Sequence, residues 1–162
     1  MQRNADGIEN KLDELKQHLV NSNIDILAIQ ESKLLGPDSG STPDPTPEIP
    51  SYKPKRKDRV GAVNRGVGVG GWLLLYIRED VRFQELSKAE ENGLGVYTIH
   101  VQLQRKEWVR ISNVYLPSSS TQENRFNPAL IPSGLDSIIV GDLNAHSSLW
   151  DNERFASRQR FI

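Results

Sequence analysis

The chain has 162 residues, a formal net charge of -1 and no cysteine. These numbers exclude a globally basic nucleic-acid coat, a disulfide framework, a thiolate zinc site and a cysteine nucleophile. With 36% hydrophobic and 25% charged residues the composition is that of one globular domain, long enough to bury roughly 68–70% of its unfolded surface.

The N-terminal stretch MQRNADGI has no apolar core of a signal peptide, and the apolar run Trp72–Ile77 is far too short to span a bilayer. Glu9 to about Val20 is predicted as a helix, because Ile8, Leu12, Leu15 and Leu19 recur at three-to-four spacing. Asp6 is its expected N-cap, with Glu9 three residues later. Ile24–Ile29 reads as a buried strand that ends in Gln30 and Glu31. Gly36–Ser51 holds five of the nine prolines and is expected to be an extended loop, since proline lacks the donor that a helix or ladder requires.

Tyr52–Arg59 carries five basic residues and one acid. Gly66–Gly71 literally satisfies GxGxxG but precedes a strand, Trp72–Ile77, whereas a dinucleotide fingerprint follows a strand and opens a helix. It reads as a glycine turn. Val96–Leu103 alternates, with Tyr97, Ile99, Val101 and Leu103 on one face and Thr98, His100 and Gln102 on the other. Trp108–Tyr115 is a further strand, stopped by Leu116-Pro117 and a serine run. Gln122–Leu130 suits a short helix, and Ser137–Gly141 a buried strand. An early helix, many strands and hairpins between them predict layered α/β architecture. The three scattered histidines, His18, His100 and His146, make no zinc site.

The chemistry concentrates at strand ends. In SIIVGDLNAH, residues 137–146, Asp142 and Asn144 are two apart and would project together, with Leu143 turned to the core. A carboxylate there can orient or deprotonate water or bind a divalent cation, and an amide can donate to a phosphate oxygen. Both residue types also favour turns, so the segment alone is equally a strand terminus. Glu31 ends a second apolar run, and Tyr115 ends a third before a proline; each alone also fits an ordinary strand end.

These segments together resemble the exonuclease–endonuclease–phosphatase, or DNase I-like, superfamily. More narrowly, they resemble the apurinic-type endonuclease domain of non-LTR retrotransposons. The matching pieces are NADGIENKLDEL (Asn4–Leu15), IDILAIQESKL (Ile24–Leu34), Tyr52–Arg59 leading into GVGVGGWLLLYIRED, VRISNVYLP (Val109–Pro117) and IIVGDLNAHSSLW (Ile138–Trp150). The resemblance covers essentially the whole chain, as one endonuclease/exonuclease/phosphatase domain over 1–162. It implies a two-sheet α/β sandwich and hydrolysis of DNA phosphodiesters with Mg²⁺ or Mn²⁺. Asn4 would arrange the metal and water region, Glu31 would ligate the metal, Tyr115 would contact the scissile phosphate, Asp142 would activate water and Asn144 would hold a phosphate oxygen. Lys55, Arg56, Lys57 and Arg59 are expected on the DNA backbone. His146 is expected on the substrate side or in packing rather than as a replacement catalytic histidine.

The resemblance also implies a C-terminal Ser-Asp-His-type motif that nothing after Trp150 matches. Its first strand is clipped, and Arg3 stands where an aromatic is usual. The expectation is therefore a sandwich lacking the C-terminal part of its second half, with weak or absent activity in isolation. In the parent protein a linked reverse transcriptase domain, DNA as partner, no membrane, and action in the nucleus follow. The rival readings are a superfamily phosphodiesterase for lipid or inositol phosphates, and a non-catalytic remnant that binds DNA.

Overall fold

The computed structural model describes residues 1–36, 42–59, 72–103, 107–117, 127–132, 134 and 136–144. In chain order the elements are β1 (Gln2–Asn4), α1 (Leu12–Ser22), β2 (Ile26–Gln30), β3 (Tyr52–Lys57), β4 (Leu73–Arg78), β5 (Phe83–Glu91), β6 (Leu94–Gln102), β7 (Trp108–Tyr115) and β8 (Ser137–Asp142). They form two four-stranded sheets of order β1-β2-β4-β3 and β5-β6-β7-β8. The expected two-sheet α/β sandwich is the observed one.

The sandwich follows from apolar alternation. Leu73, Leu75 and Ile77 of β4 meet Tyr97, Ile99 and Val101 of β6 between the sheets. The intervening Leu74 and Tyr76 face the other way and pack with Leu27 and Ile29 of β2 against Leu15 and Leu19 of α1. Buried on both faces, β4 has to be a continuous apolar run. Val96, Val114 and Ile131 form a smaller cluster on the outer face of the second sheet.

The described part of the proline-rich segment, from residue 42 onward, is held by polar bonds to its neighbours. Tyr76 donates its hydroxyl to the Pro47 carbonyl at 2.8 Å, and Leu35 donates to the Asp44 carboxylate at 2.8 Å. Residues 42–49 form neither helix nor strand.

Several expectations are corrected. The helix starts as a 3-10 turn at Glu9–Lys11 and turns α-helical only at Leu12. Asp6 is not its cap: the turn is preceded by Ile8, without a side-chain cap bond. Asp6 itself adopts a left-handed backbone, φ 47°, and pairs with Lys33. The strand Ser137–Gly141 is not buried. Ile138 and Ile139 remain 48% and 44% exposed, and only its end, Gly141 and Asp142, is enclosed. Its apolar composition reflects one neighbour, β7, rather than two covered faces. Thr98, expected on a polar face, is fully buried and shares a 3.0 Å hydroxyl bond with Ser112. Leu103 lies beyond the end of β6 and is 46% exposed. The glycine turn at 66–71 and most of the expected helix at 122–130 lie outside the described residues; Pro128–Leu130 is a 3-10 turn.

Candidate active site

Two parallel strand pairs end at one rim. β1 runs beside β2 with Asn4 opposite Gln30, and β7 runs beside β8 with Tyr115 opposite Asp142. The carboxyl ends of four strands from both sheets thus converge, and four side chains predicted from distant segments meet. The Asn4 amide donates to Glu31 at 2.9 Å and to Asp142 at 2.7 Å. The Tyr115 hydroxyl donates to the same Glu31 oxygen at 2.7 Å. Asp142 is 1% exposed, so its carboxyl oxygen depends on the Asn4 amide rather than on bulk water for a partner.

Backbone shape brings the acids in. Glu31 has φ 53° and Asn144 φ 46°, left-handed conformations that cost non-glycine residues of order 1–3 kcal/mol. At Glu31 the turn carries the carboxylate over the rim instead of along the strand. At Asn144 it breaks the expected alternation. The Asn144 backbone N–H donates to Asp142 at 2.9 Å, while its side-chain amide donates to the Leu116 carbonyl at 2.8 Å. Asp142 and Asn144 therefore adjoin through an Asx-type turn, not as parallel projections. Gly141 is needed for packing: a Cβ there would lie 2.0 Å from the Val114 carbonyl oxygen.

Behind Tyr115 stands Trp72, its ring at 6.2 Å and 80° to the tyrosine ring. Trp72 is seated over Gly95, where a Cβ would come within 2.1 Å of the indole. Lys57 and Arg59 lie over the indole at 4.9 and 5.1 Å, within cation–π range.

The basic residues of β3 divide between two faces. Lys55 pairs with Glu85 of β5 at 2.6 Å. Lys57, only 6% exposed, pairs with Glu90 at 2.9 Å. Both tie the first sheet to the second. Arg56 turns the opposite way, to Asp58 and the carbonyls of Leu35 and Asp44. Lys55 draws Glu85 down to about 2, with Tyr97 and Lys88 adding their bonds. His146 lies outside the described residues.

Sequence reading did not single out Gln30 and Asn113, both fully buried beneath the rim. Their signal is an amide standing at the end of, or inside, an otherwise apolar strand run.

The donor set suits a hard divalent cation. Glu31 and Asp142 supply carboxylate oxygens within reach of one amide, and a small cation such as Mg²⁺ takes one or two carboxylates with water and substrate oxygens. Among the described residues no third acid or histidine joins them as a cluster.

The fold recurs in solved structures. The endonuclease domain of TRAS1, a telomere-specific non-LTR retrotransposon, superposes with TM-score 0.55 at 14% identity, covering 92% of this chain. The AP endonuclease LMAP from Leishmania major gives 0.52 at 16% identity and 88% coverage. An AP endonuclease from Archaeoglobus fulgidus gives 0.50 at 16% identity and 88% coverage. The chain spans 61%, 54% and 56% of the length of those three chains. No curated protein matches it. Among the described residues no helix is long and apolar enough to cross a membrane. The match of the Endonuclease/Exonuclease/phosphatase family model to residues 2–162, carried on this two-sheet sandwich, establishes that the chain belongs to that family.

Proposed function

We propose that this chain carries the phosphodiester-cleaving rim of a Mg²⁺-dependent DNA endonuclease. In this reading it nicks target DNA in the nucleus to leave a 3′ hydroxyl that primes a linked reverse transcriptase. The observation that carries the reading is the shared amide: Asn4 bonds both Glu31 and Asp142, while Tyr115 bonds Glu31. Such an arrangement sets two carboxyl groups side by side, where a divalent cation could bridge them to an anionic substrate. The retrotransposon parentage is supported by the likeness in fold to the TRAS1 endonuclease domain.

In this reading Glu31 and Asp142 hold the cation, which when bound supplies positive charge beside the phosphoryl oxygens. Asp142 takes a proton from the attacking water. The water oxygen bonds to phosphorus, the bond from phosphorus to the 3′ oxygen breaks, and that oxygen leaves with a proton from solvent. Asn144 presents its amide to a phosphoryl oxygen, where fixed donors lower the barrier; Tyr115 would turn its single hydroxyl proton from Glu31 to the same phosphoryl group once the cation takes the Glu31 oxygen. Asn4 keeps the two carboxylates apart and oriented. Arg59, near the indole of Trp72, is the basic residue assigned to the DNA backbone, where neutralising phosphates makes affinity fall with salt. Lys55, Arg56 and Lys57 act first as ties within the sandwich.

The test is relaxation of supercoiled plasmid by the purified chain with Mg²⁺, alongside Glu31→Ala and Asp142→Ala. Nicked circles from the wild type alone are expected, formed at the low rate that the unmatched C-terminal motif implies. Equal relaxation by both variants, or no metal-dependent relaxation by the wild type, overturns the reading.

A further inference from the structure

Beneath the rim lies a second row of side chains that repeats the pattern of the first. The Gln2 amide donates to Gln30 at 2.6 Å, and the Gln30 amide donates across the gap between the sheets to Asn113 at 2.5 Å. The Asn113 amide then returns to the first sheet, to the Ile29 carbonyl at 3.1 Å and the Leu74 carbonyl at 3.4 Å. Each member shares a strand with a rim residue or directly precedes one. Gln2 and Asn4 are two apart on β1, as are Asn113 and Tyr115 on β7. Gln30 ends β2, with Glu31 next to it. The upper row runs Asn4 to Glu31 and Tyr115 to Glu31; the lower row runs Gln2 to Gln30 to Asn113. The same three strands are joined twice, one layer apart.

This placement is costly unless it has a use. Gln30 and Asn113 are both 0% exposed, against the apolar layer of Leu73, Leu75 and Tyr97. Buried amides are tolerable only when bonded, and apolar side chains of similar volume often serve stability as well or better. Apolar contacts are non-directional, however, and fix the offset of packed sheets less sharply than bonds with a set length and angle. An amide chain fixes the sliding coordinate, because its bonds have a narrow range of length and angle.

We infer that Gln30 and Asn113 are positioning residues, whose amide bridge sets the offset between the two sheets so that Tyr115 and Asp142 on one meet Glu31 and Asn4 on the other. The inference rests on the rim being the reactive site, but its geometric content does not depend on catalysis. Neither amide touches substrate; both act through the rim.

The decisive variant is the double replacement Gln30→Leu/Asn113→Leu, which removes both amides of the bridge together and leaves only the half-buried Gln2 amide without its Gln30 acceptor. Three quantities are read: the urea midpoint, the NMR resonances of the Asn4 side-chain NH₂, and Mg²⁺-dependent hydrolysis of bis(p-nitrophenyl) phosphate. The midpoint is expected to stay close to that of the wild type or to fall modestly, since Asn113→Leu adds volume to a packed interior and Gln2 loses an acceptor. The Asn4 resonances should move towards those of a solvated amide, and hydrolysis should fall about a hundredfold, the effect of roughly 1 Å of misplacement. A stable double variant with wild-type Asn4 resonances overturns the inference, because the bridge would then be structural only. If that variant fails to fold, the transposed pair Gln30→Asn/Asn113→Gln keeps an amide bridge of the same total length. It is expected to retain wild-type Asn4 resonances, and a folded transposed pair without them is equally fatal. Should the wild type hydrolyse nothing, the proposed function falls, while the Asn4 resonances still decide the role of the bridge.

Discussion

Asn4 and Asp142 lie 138 positions apart in the chain, yet the amide of one donates to the carboxylate of the other at 2.7 Å. Asn4 closes β1 in the first sheet and Asp142 closes β8 in the second. Their contact is therefore a direct measure of how the sheets are stacked. With Glu31 on the same amide, Asn4 is the hinge between two acids that would otherwise repel at close range.

Replacing Asn4 by Ala removes the one donor common to both acids. Hydrolysis is expected to fall by about 10²–10³, as for loss of a single preorganised donor. The urea midpoint should fall as well, by about 1–3 kcal/mol of stability, because the buried Asp142 carboxylate loses a donor. Plasmid relaxation and a urea melt on the same sample check the two halves of this expectation.

Tyr115→Phe keeps the ring against Trp72 and deletes only the hydroxyl bonded to Glu31. A stability change within about 1 kcal/mol is expected. Hydrolysis should drop by at least about tenfold, because removal of a fixed donor acts on the transition state. An unchanged rate would take Tyr115 out of the site.

A divalent cation should stabilise the folded chain through Glu31 and Asp142. Millimolar Mn²⁺ is expected to raise the thermal midpoint of the wild type, since a ligand bound only to the native state adds stability by mass action. Glu31→Gln should abolish that increment, and EDTA should return the wild type to its metal-free midpoint. Differential scanning fluorimetry with and without the ion reads this directly.

Gly95→Ala tests the seat of Trp72. A methyl at this position would lie 2.1 Å from the indole, far inside contact distance. Overpacking of this kind costs about 1–3 kcal/mol, and displacement of the indole should carry Tyr115 with it. The expected result is a lower urea midpoint together with altered near-UV dichroism from Trp72.

Acid sensitivity should map in part to the pair joining the sheets. Lys55 holds Glu85 at about 2 when folded, below its ordinary range near 4.3. A depressed folded value means the contribution is fully present above the unfolded value and is lost as pH falls from there towards about 2. Glu85 is about a third exposed, so solvent screening keeps the effect small. In urea melts from pH 5 down to 2, the gap between wild type and Glu85→Gln should shrink steadily. A constant gap would remove the ion pair from the stability of the sandwich.

Much of the architecture could be read without coordinates. Alternation in Val96–Val101, the apolar run at Trp72–Ile77 and the stop at Leu116-Pro117 each report a local preference, because strand period and proline chemistry act over a few residues. Less legible was how each strand is covered. Ser137–Val140 is as apolar as a central strand, yet its isoleucines are about half exposed. Composition records affinity for an apolar surface, not whether neighbours supply one on each side. Asp6 looked like a helix cap, but its backbone turns left-handed and its carboxylate meets Lys33. A partner 27 residues away outweighs a local capping pattern.

By itself the sequence determined the residue types: Asn4 through the family resemblance alone, and Glu31, Tyr115, Asp142 and Asn144 as polar residues that close apolar or alternating stretches. Only the tertiary structure decided that the first four share bonds at one rim, that Lys57 is buried against Glu90 instead of facing solvent, and that Gln30 reaches Asn113. The physical reason is range. Side-chain period and turn preference are set by adjacent backbone, whereas the meeting of two sheets depends on how their faces interdigitate, a property that no single segment contains.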